Sequence, residues 1–214
     1  MHDPSATVSP EMFIETLTRL DRSRRHIVAI AGAPGSGKST FAEMIVSALN
    51  AKAAGLAAIL PMDGYHYDDS VLLARGHRPR KGAPHTFDIG GFAATLRRLR
   101  NQDEPSVAVP VFDRSIEIAR AGARIIERDT PIIVAEGNYL LLDDPDWLPL
   151  RDLFDVTAFL NVPEEVIQDR LTKRWVELGL SGEALREKLE ENDFPNARLV
   201  GEKGRGGTGT VVIG

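Results

Sequence analysis

Apolar residues along this chain come in two alternating rhythms: short unbroken runs of five to eight, and stretches in which they recur every three or four positions. Unbroken β-branched runs read as strands buried on both faces, and the 3.6-residue recurrence reads as amphipathic helix. Met12, Phe13, Ile14, Leu17 and Leu20 share one helical face over 10–22, which predicts a covering helix, and Arg22 to Arg25 step into the first run, 26–31. A helix follows through Phe41 and Val46 until Gly55 ends it. The next run, 56–63, reads as a second strand closed by Asp63. Residues 64–87 carry Gly, Pro, His, Arg and Tyr with no steady period, predicting a long loop with one helical turn. Asp88 opens a helix through Leu96 and Leu99, after which 107–113 and 123–127 read as two extended segments, a small flap. The run 131–137 has the character of an interior parallel strand, and 155–162 gives another. Pro163 then opens a helix to about Leu178, with Glu164 and Glu165 in its first turn as the helix dipole prefers. Gly179 and Gly182 break that helix, 183–191 is helical again, and 209–213 forms a last strand. No fixed-period repeat is present. Strands alternating with helices predict an α/β fold in three layers, a mostly parallel central sheet with helices on both faces. One domain over 1–214 is expected, with insertions at 64–87, 106–127 and 163–182.

One segment changes the picture from architecture to chemistry. Gly32-Ala33-Pro34-Gly35-Ser36-Gly37-Lys38-Ser39-Thr40 fits G-x-x-x-x-G-K-[ST] in full, directly behind the first apolar run and ahead of a helix. The glycines let backbone amides wrap an anion at a helix N-terminus, Lys38 reaches the β- and γ-phosphates, and Ser39 offers its hydroxyl to Mg²⁺. All nine residues, Gly32 to Thr40, are therefore expected to bind the phosphates of a nucleotide.

Composition narrows the partners. At 214 residues, 43% hydrophobic and 27% charged, the chain is ordinary for a globular domain, and its net charge of −5 offers no global attraction to nucleic acid or anionic membrane. Neither is an expected partner; homodimerisation stays open. The absence of cysteine excludes disulfides, thiol nucleophiles and thiolate metal sites and fits a reducing compartment, so cytoplasm is the expected location. Asp3, Glu11 and Glu15 stand where a signal peptide would be basic and then apolar.

Phosphoryl transfer needs carboxylates near the metal and the accepting oxygen, and cations near the transferring group. Asp63 and Glu136 each close an apolar run that belongs beside the phosphate-loop strand, which points to one orienting the acceptor and the other the metal. A single strand-end acid commonly just meets water; two beside a phosphate loop favour a site. Arg170, Lys173 and Arg174 stand at i, i+3 and i+4 on one helix face, either closing over a phosphate or forming a solvated basic face. Arg78, Arg80 and Lys81 add positive charge in the long loop. Tyr65, His66, Phe87 and Phe112 are either pocket wall or plain core. His66, His77 and His85 share no face, which argues against zinc.

The phosphate loop, Met62-Asp63-Gly64-Tyr65-His66 and Glu136-Gly137-Asn138-Tyr139 together resemble the phosphoribulokinase, uridine kinase and bacterial pantothenate kinase family. Arg80 to Asp88, Pro110-Val111-Phe112-Asp113-Arg114-Ser115 and Asn192-Asp193-Phe194-Pro195-Asn196-Ala197 are similar to bacterial proteins labelled nucleoside kinase-like or fructose transport system kinase. The likeness spans about 25–200. It implies a P-loop NTPase fold with a lid and a flap, use of ATP and Mg²⁺, and phosphate transfer to a hydroxyl of a sugar, a nucleoside or a pantothenate-like alcohol. Asp63 falls where the family has its catalytic carboxylate, Glu136 at the acid near Mg²⁺, and Arg170 and Arg174 on the cationic lid helix. Tyr65, His66, Arg80, Lys81, Asp113, Arg114 and Glu136 are the expected substrate-side residues, with Lys38, Asp63, Arg170 and Arg174 catalytic. The histidine that uridine kinases carry beyond the flap aspartate is not evident here, and the chain has little room for the extra N-terminal structure of pantothenate kinases. Two rival readings remain: an NTPase switch, for which Thr172-Lys173-Arg174-Trp175 lacks the guanine-reading aspartate, and a non-catalytic nucleotide-binding regulator of sugar uptake, which has no use for both Asp63 and Glu136.

Overall fold

The computed structural model describes residues 7–207 and 209–214. Six parallel strands form the central sheet: β1 (Thr7–Val8), β2 (His26–Gly32), β3 (Ala57–Pro61), β6 (Ile132–Gly137), β7 (Val156–Leu160) and β8 (Val211–Ile213), in the order β1-β8-β7-β2-β6-β3. The two remaining strands, β4 (Ser106–Asp113) and β5 (Ile118–Glu127), pair antiparallel as a separate hairpin. Strand β2 is buried along its whole length, and so is β6 beside it. Their side chains alternate between two cores. Val28, Ile30 and Val134 meet Phe13, Phe41, Ile45 and Leu49 of α1 (Pro10–Thr18) and α2 (Lys38–Lys52). Ile27, Ala29, Ile133 and Ala135 face the opposite layer, where Leu96, Leu171 and Val200 come from α4 (Ile89–Asn101), α5 (Glu164–Glu177) and α7 (Phe194–Lys203). This is the expected three-layer α/β arrangement.

Chain order reverses across β2: β6 lies on one side and β7 on the other, each with its residues in register with those of β2. The carboxyl end of β2 is thus a topological switch point, where open parallel sheets leave a crevice for ligands.

Several boundaries differ from the periodic reading. Helix α1 ends at Thr18, because Asp21 accepts from the Ser23 amide in a local turn that a helix could not make. Strand β3 stops at Pro61, and Asp63 sits one step further on, in a 3-10 turn over Met62–Tyr65. The 64–87 loop holds more structure than one turn: α3 (Asp69–Ala74) and 3-10 turns at Arg78–Arg80 and Pro84–Thr86. The second flap strand begins at Ile118, five residues before the expected 123. The stretch read as helix over 183–191 is α6 (Gly182–Glu187) followed by a π turn, Lys188–Asp193, that runs into α7. No helix was expected at 194–203, where Gly201 interrupts the periodic signal; Pro195 in its first turn is a position where proline costs the helix nothing.

Candidate active site

Leaving β2, the chain turns through Gly35 (φ +80°) and Gly37 (φ +89°), left-handed conformations that side chains resist, and enters α2 at Lys38. Gly37 supplies no side-chain cap, so the first amides of α2 are left for an anion. Ser36 Oγ is buried without a partner among the described residues, a second donor that phosphate oxygens would satisfy. Lys38 is buried at 7% exposure; burial pushes its pKa below the ordinary lysine value, while Glu136 and Asp63 pull the other way. The loop therefore fits a polyphosphate by its free amides, its orphan hydroxyl and its enclosed ammonium.

Glu136 reaches the loop because β6 pairs with β2, placing Glu136 opposite Ile30, two residues before Gly32. Ser39 Oγ donates to Glu136 Oε2 at 3.1 Å. Burial raises the Glu136 pKa, Lys38 opposes the rise and Asp63 adds to it. Asp63 behaves differently. Burial works against its carboxylate, yet His66, Arg114, Lys38 and Arg174 together outweigh burial and hold its pKa below the usual aspartate value. A small cavity of about 140 Å³ lies among Ser39, Glu43, Asp63 and Glu136. Hydroxyl and carboxylate oxygens with space for water suit Mg²⁺, which keeps several waters and takes few protein ligands. Among the described residues no group of three or more His, Cys, Asp or Glu is arranged to hold a metal alone.

On the other side of Lys38 opens a cavity of about 300 Å³. Asp63 and Arg114 face each other across its rim, Arg114 Nη2 donating to Asp63 Oδ2 at 2.9 Å. The flap delivers Arg114. Pro110 lacks an amide and breaks the register of the hairpin, and its carbonyl lies directly over Gly64, where any Cβ would collide with it. Arg174 projects into the cavity from α5 with no hydrogen-bond or ion-pair partner among the described residues; burial lowers its pKa, and the nearby Arg114 lowers it further. Arg170 does something else: its Nη1 donates to the carbonyls of Gly35 and Ser36, 3.3 Å each, fastening α5 to the phosphate loop. Lys173 faces solvent, paired with Asp169 at 2.8 Å.

The other expected substrate residues scatter. His66 lines the cavity, its ring 4.0 Å from that of Phe87 and 4.8 Å from that of Phe112, and its Nδ1 lies 2.7 Å from the Asp63 carbonyl. Burial lowers its pKa against the pull of Asp63. Lys81 lines the cavity too, buried, with Nζ 2.7 Å from both Asp69 Oδ1 and the Glu117 carbonyl. Tyr65 turns away into the core, edge-on to Phe92 at 5.0 Å. Arg80 also points away, holding the Glu191 carbonyl and Asn196 Oδ1. Asp113 accepts from Ser115 and Arg120 within the flap. Cavity residues that the sequence did not single out are Asn138, Glu117, Trp175, Lys188 and Asp193. Asn138 stands in the stretch after Glu136, and its Oδ1 is buried without a partner among the described residues. Asp193 accepts from Trp175 Nε1 at 2.6 Å and pairs with Lys188 at 3.2 Å.

A third cavity, about 450 Å³, lies beyond Ala33 at the ends of β7 and α7, lined by Phe159, Asn161, Val162, Ile167, Arg198 and Arg205. A phosphate cradle at a sheet switch point, with a roomy cleft on one side and a carboxylate-bearing cavity on the other, places the protein in the P-loop nucleotide-binding class.

Comparison with known proteins agrees. The model of the phosphoribulokinase / uridine kinase family matches residues 27–197. The "putative uridine kinase C227.14" of Schizosaccharomyces pombe is 31% identical over 204 residues, covering 92% of this chain and 87% of that protein. The uncharacterized protein YggC of Escherichia coli is 33% identical over 189 residues, 87% of this chain and 77% of its own. A solved structure, the "putative fructose transport system kinase" from Silicibacter sp. TM1040, superposes with a TM-score of 0.86 at 39% identity over 95% of this chain and 98% of that one. The chain belongs to the phosphoribulokinase / uridine kinase family.

Proposed function

We propose that the protein transfers the γ-phosphate of ATP to a hydroxyl of a small molecule, with Mg²⁺ as the metal. The amides of Gly35 and of Gly37 to Ser39, with the Lys38 ammonium, hold the donor's phosphates, and the 450 Å³ cleft beyond Ala33 takes its nucleoside end. Ser39, with Glu136 behind it, holds Mg²⁺, which supplies charge neutralisation on the phosphate oxygens when bound. Asp63 orients the acceptor and takes its proton as the acceptor oxygen bonds to the transferring phosphorus and the bond to ADP breaks. Lys38 and Arg174 balance the charge that shifts onto the phosphate oxygens.

The observation that carries this reading is the position of Asp63: half-buried, kept ionised by the cations around it, electrostatically linked to Lys38, and on the wall of a cavity large enough for a second substrate. A water-using NTPase has no need of that cavity. Among the described residues no helix is long and apolar enough to cross a membrane. ADP release measured with a panel of alcohols against a no-acceptor control tests the proposal. Acceptor-dependent release supports a kinase; release indifferent to acceptor means an NTPase, and none at all favours a nucleotide-binding regulator.

A further inference from the structure

The chemistry of the 300 Å³ cavity is unlike the rest of the molecule. The chain as a whole has net charge −5, yet this cavity is lined by six Lys and Arg against three Asp and Glu. Lys38 and Arg174 belong to the phosphate donor, and Arg114 is spoken for by Asp63. Arg78, Lys81 and Lys188 have no part in phosphoryl transfer as proposed above; Lys188 is paired with Asp193 at 3.2 Å, whereas Arg78 and Lys81 are not matched one to one. Arg78 and Lys81 share one counter-ion, Asp69, through Arg78 Nε and Lys81 Nζ, both at 2.7 Å. One carboxylate does not neutralise two cations, and the Nη atoms of Arg78 have no partner among the described residues.

The aromatic faces are covered as well. Lys81 Nζ lies 5.4 Å from the Phe112 ring centre, and Lys188 Nζ lies 4.8 Å from that of Trp175, with the Arg174 guanidinium also beside that ring at 5.4 Å. A nucleobase that stacks on protein gains most from a free aromatic face. Here those faces carry ammonium groups, an arrangement that draws anions. The cavity volume is also at the lower limit for small-molecule sites. Finally, Asn138, a residue only 9% exposed, lines the same cavity as Asp63, and its Oδ1 is a hydrogen-bond acceptor without a partner among the described residues. Hydroxyl groups satisfy such an atom; a carboxylate or phosphate does not.

Resting on the kinase reading, we infer that the acceptor is a compact anionic polyol, carrying a carboxylate or a phosphate, and neither a nucleoside nor a neutral sugar. Arg78, Lys81 and Lys188 take the anionic group, and Asn138 and Asp63 take hydroxyls. The hydroxyl oxygen at Asp63 forms the new bond to phosphorus, its proton passes to the carboxylate, and the bond electrons of the broken phosphoanhydride leave with ADP.

The test varies charge at constant skeleton: glycerol, glycerate and glycerol phosphate; fructose, gluconate and fructose phosphate; and uridine as the nucleoside. Two readouts are taken, ADP release and quenching of Trp175 fluorescence, Trp147 being buried and away from the cavity. Anionic members of at least one series should exceed their neutral parent and uridine by about tenfold or more in kcat/KM and bind more tightly by fluorescence. The carboxylate and phosphate arms separate the two sources of charge. Lys188→Met should weaken binding of the anionic member by about tenfold while leaving ATP binding unchanged. Turnover of uridine or a neutral parent equal to its anionic counterpart overturns the inference and leaves the kinase reading standing, as does a Lys188→Met variant that binds the anion unchanged. Acceptor-independent ADP release instead removes the kinase reading; selective anion binding without turnover still supports an anion-holding cavity.

Discussion

Asp63 differs from Glu136, though both are acids beside one phosphate loop, Glu136 buried and Asp63 half-buried. Four cationic or ionisable neighbours keep Asp63 ionised, whereas burial keeps the Glu136 pKa raised. Asp63→Asn removes the proton acceptor and should slow turnover by about 10²- to 10⁴-fold with ATP affinity nearly unchanged, checked by steady-state kinetics beside nucleotide binding. Arg114→Met tests the same group through its pKa. A base works only above its own pKa, so losing a cation that depresses Asp63 should move the acid limb of the kcat profile to higher pH; an unmoved limb assigns that limb to another group. Single residues were unevenly legible in the sequence. Lys38 and Ser39 follow from a contiguous motif whose spacing is itself the geometry. Arg25, by contrast, reads as part of a polar step, yet it is buried and its guanidinium donates to four backbone carbonyls, those of Leu99, Glu127, Arg128 and Thr130. Nothing in local sequence announces partners a hundred positions away. Asn138 was hidden differently, in plain view after Glu136 but with no charge to draw attention.

At the level of elements, the sheet strands and the helices of both faces were readable because each buries a full face or a full length, and burial writes a period into the sequence. The flap was readable for the same reason, burying Val107, Val109 and Ile126, whereas the turns of the 64–87 segment are fixed by individual hydrogen bonds, which write no period. Tyr139 Oη donates to the Gly82 carbonyl at 2.6 Å and Asn192 Nδ2 to the Lys81 carbonyl at 2.9 Å, so the segment is tied down by the turn after β6 and by the π turn together. Helix α7 escaped notice, yet it and the π turn bring Asn196, Asp193 and Lys188 to the cavity. The register break at Pro110 and the missing side chain at Gly64 form one feature, a close approach that sets Arg114 against Asp63. Gly64→Ala inserts a methyl into the Pro110 carbonyl and should cost about 1–3 kcal/mol, lowering the denaturation midpoint and raising the acceptor KM more than that of ATP. Equal KM values for both substrates relative to the parent would detach the flap from acceptor binding.

For the whole molecule, the sheet order matters more than any one element, since only the reversal across β2 brings residues from 32–40, 63, 114, 136 and 174 around one point. That convergence was legible in outline: an α/β alternation plus a phosphate loop implies it. Which cations enter the cavity was not, because Arg170 and Arg174 are neighbours on one face of α5 and diverge only in their contacts. The sheet is also anchored at its amino end. Asp155 accepts from the Ile27 amide at 2.8 Å and pairs with Arg24 and Arg100, so Asp155→Ala should cost about 1–3 kcal/mol at neutral pH in a denaturant titration. Burial opposes the Asp155 carboxylate, but Arg24, the Ile27 amide and Arg100 prevail and depress its pKa. Its contribution is therefore complete above the unfolded value of about 3.8 and disappears as pH falls through the lower folded value, so the variant and its parent should converge in stability in strong acid. The central claim, that Asp63, Lys38 and Glu136 serve transfer to a hydroxyl compound and not to water, is tested most directly by following the label from γ-labelled ATP with and without an anionic polyol. Label is expected on the polyol and absent from it in Asp63→Asn; label released only as inorganic phosphate at a rate no acceptor alters would contradict that role.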